Sequence, residues 1–486
     1  MEKVEQYRVF ELEVPEGVTA VTFRQGGASA EVHTFSDGPA RTLARFMPAE
    51  PGIWECDGGS FLCTPASGNN HGPVRTEDKG FRYADGTRFF PFGTTCYAWT
   101  HQPEELRRQT LESLRDSPFN KVRMCVFPKS MVYSMNEPAR FPFLKDEEGR
   151  WDVHQPDAAF WRDFEAQIAA LDRLGVEADI ILFHPYDRWG FAALSREDSL
   201  TYLDYCVSRL AAYKNVWWSL ANEYNLVPGK TDEDWNAFAR RVQEMDSSRH
   251  LLSIHNFGLP HPDRDWMTHC SIQSDSCRQV LIWGWEYQKP VLIDECGYEG
   301  NIEFGWGNLP AFEMVHRFWT VVCCGGYCTH GETFYQEDEI LWWAKGGELK
   351  GQSVARIAFL RELLESLPGV PEAGAAAQSA GDPNGNAETA PFISVVMSMP
   401  EAARGPAIAG MIPMACGSGE DWRLYYQGRS CPAWIDVQCP GEGDYTAEVI
   451  DIWEMTRTPV DTVSGNGRID LPGREGQAVL LRKIEN

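Results

Sequence analysis

Several signatures are missing from this chain, and each gap removes a class of function. No Cys-x-x-Cys pair occurs, and Cys323, Cys324 and Cys328 lack the spacing of a zinc site. There is no Gly-x-Gly-x-x-Gly and no P-loop, which argues against a dinucleotide fold or a phosphate cradle. His-x-His and His-Glu-x-x-His are absent, so a barrel metal hydrolase has no ligand set. Without Gly-x-Ser-x-Gly, a serine hydrolase has no nucleophile elbow. Basic residues are few, 44 against 70 acidic, for a net charge of −26. Nucleic acid and anionic membrane would both be repelled. No apolar run approaches a membrane span, and Met1 to Gln6 is polar with no leader-like apolar stretch. Reduced thiols and a cytoplasmic location are therefore expected, with no metal, no cofactor and no nucleic-acid or membrane partner. A homo-oligomer is compatible with the composition.

What is present is a chain of 486 residues, 43 % hydrophobic, with 18 tryptophans. That is ample for a large core, with some Trp left to line a cleft. Residues 1–75 read as short alternating strands, such as Tyr7-Arg-Val-Phe-Glu-Leu-Glu-Val, and predict a small β-sandwich. From 76 to 367, apolar strand-like runs alternate with helical stretches. The strands are expected at Phe89–Cys96, Phe119–Phe127, Val176–Phe183, Val216–Ala221, Leu251–His255, Ser271–Ser274, Pro290–Ile293 and Gly325–His330. Eight such units predict a (β/α)8 barrel, an α/β fold. Residues 368–391 are rich in Ala, Gly, Pro and Ser and read as a linker or mobile loop. Residues 392–486 return to β texture and predict a second sandwich.

Two apolar strands end in acids: Val216-Trp-Trp-Ser-Leu-Ala-Asn-Glu223 and Pro290-Val-Leu-Ile-Asp-Glu295. Barrel chemistry gathers at the C-terminal ends of strands. Other ionisable residues there are Arg123, His184, His255, His330 and Glu332. Each alone has a structural explanation; Glu223 fits a helix-start acid as readily as a catalyst. Their joint presence points to glycoside hydrolysis, which needs one carboxyl to protonate the leaving oxygen and another to attack the sugar. Asn222 suits a bond to a sugar hydroxyl, and Arg123 suits a partner for Glu295.

At these positions the chain resembles the clan A retaining glycoside hydrolases of the family 5 type. The resemblance implies that Glu223 is the acid/base and Glu295 the nucleophile, with Arg123 near the nucleophile and His184 the third-strand histidine. Gly93-Thr-Thr-Cys-Tyr-Ala-Trp-Thr-His-Gln102, Gly326-Tyr-Cys-Thr-His-Gly-Glu-Thr333 and Leu341-Trp-Trp-Ala-Lys-Gly-Gly347 resemble a DUF4038-type, apiosidase-like barrel. The N-terminal part resembles DUF5060. The C-terminal part, with Leu424-Tyr-Tyr and Val449-Ile-Asp-Ile-Trp, resembles DUF5605. Family 5 keeps a His and a Tyr around the sixth strand; Ser271-Ile-Gln-Ser has neither, and Tyr298 stands as the substitute. Tyr97, Trp99 and His101 on the first βα loop, and Trp342 or Trp343 as a stacking wall, are candidates to line the sugar site. The reading is an exo-acting retaining glycosidase for small oligosaccharides or glycosides. Its rival is a carbohydrate-binding protein without catalysis on the same barrel.

Overall fold

The computed structural model describes residues 1–258, 261–373 and 395–485. Its centre is an eight-stranded parallel sheet. The barrel strands, in chain order, are Phe92–Thr95, Lys121–Cys125, Glu177–Phe183, Val216–Ala221, Leu252–Ser253, Cys270–Gln273, Val291–Glu295 and Tyr327–His330. Their spatial order is five-four-three-two-one-eight-seven-six. A parallel bridge between His255 and Ser271 joins the two ends of that order. The result is the nearly closed barrel that the βα alternation predicts. Gly93 is required where strands one and eight meet, because a Cβ there would lie 2.5 Å from Thr329 Oγ1.

Helices between the strands pack outside. Ala158–Leu174 starts where the Asp157 side chain accepts from the Ala159 and Phe160 N–H groups, and ends at left-handed Gly175. Asp232–Met245 begins with a Thr231–Asp234 capping box. The long segment after strand two contains a short hairpin of Phe143–Lys145 and Trp151–Pro156. Strand seven runs two residues further than its apolar stretch, through Asp294 and Glu295.

The barrel interior carries charge. Lys121 Nζ lies 2.7 Å from Asp179 Oδ2 and 2.8 Å from Asp294 Oδ1, all fully buried. Ser271 and Thr329 hydroxyls donate to Asp294, each at 2.6 Å. The floor is closed by Phe81, whose ring meets Trp217 and Tyr327.

Residues 2–64 form a seven-stranded sheet around stacked Phe10–Phe61 and Phe23–Phe46 pairs. It is tied to the barrel by a buried network in which Arg45 and Arg209 share Glu165, and Arg209 also reaches Asp37. The C-terminal sheet, with its own apolar core around Tyr445 and Val479, leans on the helix Ala311–Cys323, where His316 Nδ1 meets the Tyr426 hydroxyl at 2.8 Å. Residues 374–391 of the expected linker lie outside the described residues; Glu372–Ala373 pairs with Met414–Ser418. All 14 cysteines are free thiols, 12 of them buried. Among the described residues, no helix is long and apolar enough to cross a membrane.

Candidate active site

Strand four ends at Ala221, and the chain then turns sharply. Glu223 adopts φ +47°, a left-handed conformation that costs a non-glycine residue free energy. Although it begins a short 3-10 turn, its side chain makes no capping bond. The carboxylate turns into the barrel mouth instead. Glu295 arrives there by another device. In the pairing of strands six and seven, Ile272 faces Ile293 but Gln273 faces Glu295, so Asp294 is an extra residue. This bulge lets consecutive acids both serve the interior: Asp294 binds Lys121 below, and Glu295 reaches the mouth above.

Both carboxylates line a cavity of about 510 Å³. Glu223 Oε2 accepts from the Tyr186 hydroxyl, and Glu295 Oε1 from the Tyr97 hydroxyl. Arg123 Nη1 donates to Glu295 Oε1 at 3.2 Å. Gln273 Nε2 donates to both acids, at 3.1 Å to Glu223 Oε1 and 2.9 Å to Glu295 Oε2. Those two oxygens can therefore be no further apart than the two bonds laid end to end, about 6 Å.

Arg123 Nη2 donates to Asn222 Oδ1 at 2.9 Å, which fixes the amide's acceptor end and leaves its NH₂ for the cavity. His255 stands beside Glu295, its Nε2 3.5 Å from Oε1. The Ser271 hydroxyl is committed to Asp294, so His255 Nδ1 is the donor to Ser271, at 3.1 Å. Lys129 is buried, and its ammonium sits 3.4 Å from the Tyr97 ring centre and 4.5 Å from that of Tyr186.

The two acids are pushed apart electrostatically. Burial raises the Glu223 pKa above the ordinary glutamate range, and the charge of Glu295 raises it further. The Tyr186 hydrogen bond, Lys129 and Gln273 oppose this without reversing it. Burial also pushes Glu295 up, but His255, Arg123, Lys129 and the Tyr97 hydroxyl outweigh it and hold this carboxyl low. His255 itself is neutral, drawn down to about 3 by burial, so the lasting positive field on Glu295 comes from Arg123 and Lys129. The environment thus biases the pair the same way at both ends, making Glu223 the harder of the two to ionise and Glu295 the easier.

The remaining candidates fall into two groups. Tyr97 and Tyr298 line the cavity; a Cβ on Gly331 would lie 2.3 Å from the Tyr298 ring, so glycine there lets the tyrosine pack in. Six others do not line it. His184 is buried and bonds the Phe127 carbonyl at 3.2 Å. Trp99 is core, and His101 borders a separate cavity by Phe160. His330 faces outward and stacks on Phe119, because its neighbour Thr329 takes the inward position. Trp342 gives its indole N–H to Thr94 Oγ1, and Trp343 is the one in the cavity wall. Glu332 accepts from the Lys350 and Gly351 backbone N–H groups. With Glu299 and His330 it forms the one group among the described residues whose ligand atoms lie within 4.8 Å of one another. Metal coordination is open to these three, but Glu299 also accepts from the Gln352 and Ser353 N–H groups, and the cluster is no part of the cavity lining.

Sequence reading missed Gln273, Tyr186 and Lys129. A signal for Gln273 existed: it stands two residues after Ser271, on the same face of strand six.

Residues 75–370 match the family described as apiosidase-like, catalytic domain, and residues 412–482 match DUF5605, a domain of unknown function. No curated protein matches the chain. Among solved structures, a candidate glycoside hydrolase from Bacteroides vulgatus is 34 % identical, with 100 % of each chain covered and a TM-score of 0.86. A glycoside hydrolase family 5 protein from the same species is 15 % identical over 85 % of this chain and 94 % of its own, with a TM-score of 0.61. Another glycoside hydrolase is 13 % identical over 85 % and 97 %, at 0.62. These last two share the fold. With the family model spanning most of the barrel and a relative 34 % identical end to end, the chain belongs to the apiosidase-like catalytic domain family.

Proposed function

We propose that this protein is a retaining glycoside hydrolase that acts on small oligosaccharides or glycosides. One observation carries the proposal: a single Gln273 amide nitrogen binds both Glu223 and Glu295 in the wall of one cavity. Carboxyls of retaining enzymes lie roughly 5–5.5 Å apart, whereas inverting enzymes need roughly 6.5–9.5 Å to admit a water. A bound of about 6 Å on the bridged oxygens favours direct attack.

In the proposed first step, the ionised Glu295 attacks the anomeric carbon. The bond to the leaving oxygen breaks as Glu223 gives that oxygen its proton. The second step reverses the roles. Glu223, now a carboxylate, takes a proton from water; the hydroxide adds to the anomeric carbon and releases Glu295. The Asn222 NH₂ is the donor to a hydroxyl of the bound sugar. A cavity of this size suits one or two sugar rings, which favours an exo-acting enzyme. The two flanking β units are proposed to be sandwiches that brace the barrel. A cytoplasmic setting belongs to the same proposal, since free thiols suit a reducing compartment.

The test is a panel of 4-nitrophenyl glycosides, with the first-formed anomer followed by NMR. Retention is expected, along with a loss of at least about 1000-fold in Glu223→Gln and Glu295→Gln toward a substrate with a poor leaving group. Inversion, or activity that survives both substitutions, overturns the mechanism. A folded protein inert toward the whole panel would favour the silent carbohydrate-binding rival.

A further inference from the structure

Phe257 is the one large apolar residue in the described cavity wall that stands well exposed, at 53 %. A single exposed hydrophobe is ordinary on a protein surface. This one is held in place by specific bonds. Its backbone N–H donates to Asn225 Oδ1 at 2.8 Å, and Asn225 Nδ2 donates back to its carbonyl at 3.0 Å. Asn256 secures the next carbonyl, that of Gly258, which takes the left-handed φ of +72° the turn needs. The ring is thus kept out of the core on a pinned backbone.

Its location is informative. Asn225 follows Glu223 by two residues, and the Tyr224 N–H donates to the His255 carbonyl at 2.9 Å. The Phe257 loop is therefore bound to the segment that carries the proposed acid. A second aromatic part of the cavity wall is bound to the segment of the other acid: Tyr298, three residues after Glu295, donates its backbone N–H to the Trp306 carbonyl and accepts from the Leu309 N–H. A proton donor must lie within hydrogen-bond reach of the oxygen that departs. The wall on the Glu223 side consequently borders the leaving group, and the Glu295 side borders the sugar under attack.

Building on the glycosidase reading, we propose that Phe257 is the platform of an aglycone subsite. It takes a leaving group with a flat apolar face, either a pyranose ring or an arene, and Asn225 is its positioning residue. A leaving group without such a face gains nothing from it.

The probes are the 4-nitrophenyl glycoside and the glycosyl fluoride of the same sugar, the one turned over in the panel above. Fluoride leaves without offering a face to stack. Phe257→Ala is expected to lower kcat/KM for the nitrophenyl glycoside, relative to the fluoride, by about three- to tenfold, mostly through KM. Phe257→Tyr should keep the wild-type ratio, and Asn225→Ala should shift it in the same direction as Phe257→Ala. An unchanged ratio in Phe257→Ala, or an equal loss on both substrates, overturns the subsite and leaves the glycosidase reading intact. A wild-type protein inert toward the whole nitrophenyl panel and toward the matching glycosyl fluorides overturns the reading and the subsite together.

Discussion

Glu223 and Glu295 accept hydrogen bonds from the same amide nitrogen, that of Gln273, and this shared donor sets the distance between them. Both acids are buried, and their charges repel. A neutral donor between them supports a singly protonated pair without favouring full ionisation as strongly as a cation would.

Gln273→Leu removes that donor while keeping the side-chain bulk. The acids are then free to drift, and the hydrogen bond that lowers Glu223 is lost. The expected result is a fall in kcat of roughly 10- to 100-fold, with the alkaline limb of the pH–rate profile moved upward. Steady-state kinetics across pH 4–9 would check it. A profile superimposable on wild type would show that the bridge is incidental.

The two tyrosines permit a finer dissection. Tyr186 donates to Glu223 and Tyr97 to Glu295, and each bond lowers the carboxyl it serves. Tyr186→Phe is expected to raise the alkaline limb, which in the proposed mechanism reports loss of the Glu223 proton. Tyr97→Phe is expected to raise the acidic limb, which in the proposed mechanism reports protonation of Glu295. The limbs are macroscopic properties of the pair, so each variant also moves the other limb slightly. Limbs that move the opposite way round would exchange the roles of the two glutamates.

The two acids were legible in the sequence because each ends an apolar run of buried-strand length. The barrel was legible because its βα units alternate. Other assignments depended on knowing which face of a strand points inward. On strand eight Thr329 binds Asp294 inside, so His330 must face outward. Trp342 and Trp343 differ by one helical step of about 100°, enough to send one indole to Thr94 and the other to the cavity. Gln273 escaped because an uncharged amide on a short strand carries no titratable signature. The bulge at Asp294 was also hidden, since strict alternation would send Asp294 and Glu295 to opposite faces.

Lys129 acts on both carboxyls at once. Its ammonium is buried among aromatic rings near the site, and its field lowers Glu223 and Glu295 alike. Lys129→Met should therefore move both limbs of the profile to higher pH together, by roughly one unit, and leave the bell's width nearly unchanged. Tyr186→Phe widens the bell and Tyr97→Phe narrows it, so the three substitutions are distinguishable from pH profiles alone. A shift of only one limb in Lys129→Met would mean that its charge is felt by one acid and screened from the other.

Beneath the site, Lys121 is shared between Asp179 and Asp294, all three fully buried; burial and the charge of Asp294 push the Asp179 carboxyl up. Burial pushes Asp294 up, but Lys121, Arg123 and the Ser271 hydroxyl overcome it and hold the carboxyl far below the aspartate range. A depressed folded-state pKa contributes stability above the unfolded value near 4, and that contribution is lost as pH falls toward the folded value. Wild-type stability should thus decline below about pH 4. Lys121→Met leaves the buried Asp294 carboxylate without its ammonium partner and should cost about 3–5 kcal/mol at pH 7 in urea titrations. Adding Asp294→Asn to Lys121→Met removes that charge and should recover part of the loss. It should also flatten the decline below pH 4, because the group that titrates there is gone. If the double variant is no more stable than Lys121→Met, the cost lies in lost packing around the lysine stem, and the charge pair beneath the barrel mouth contributes little.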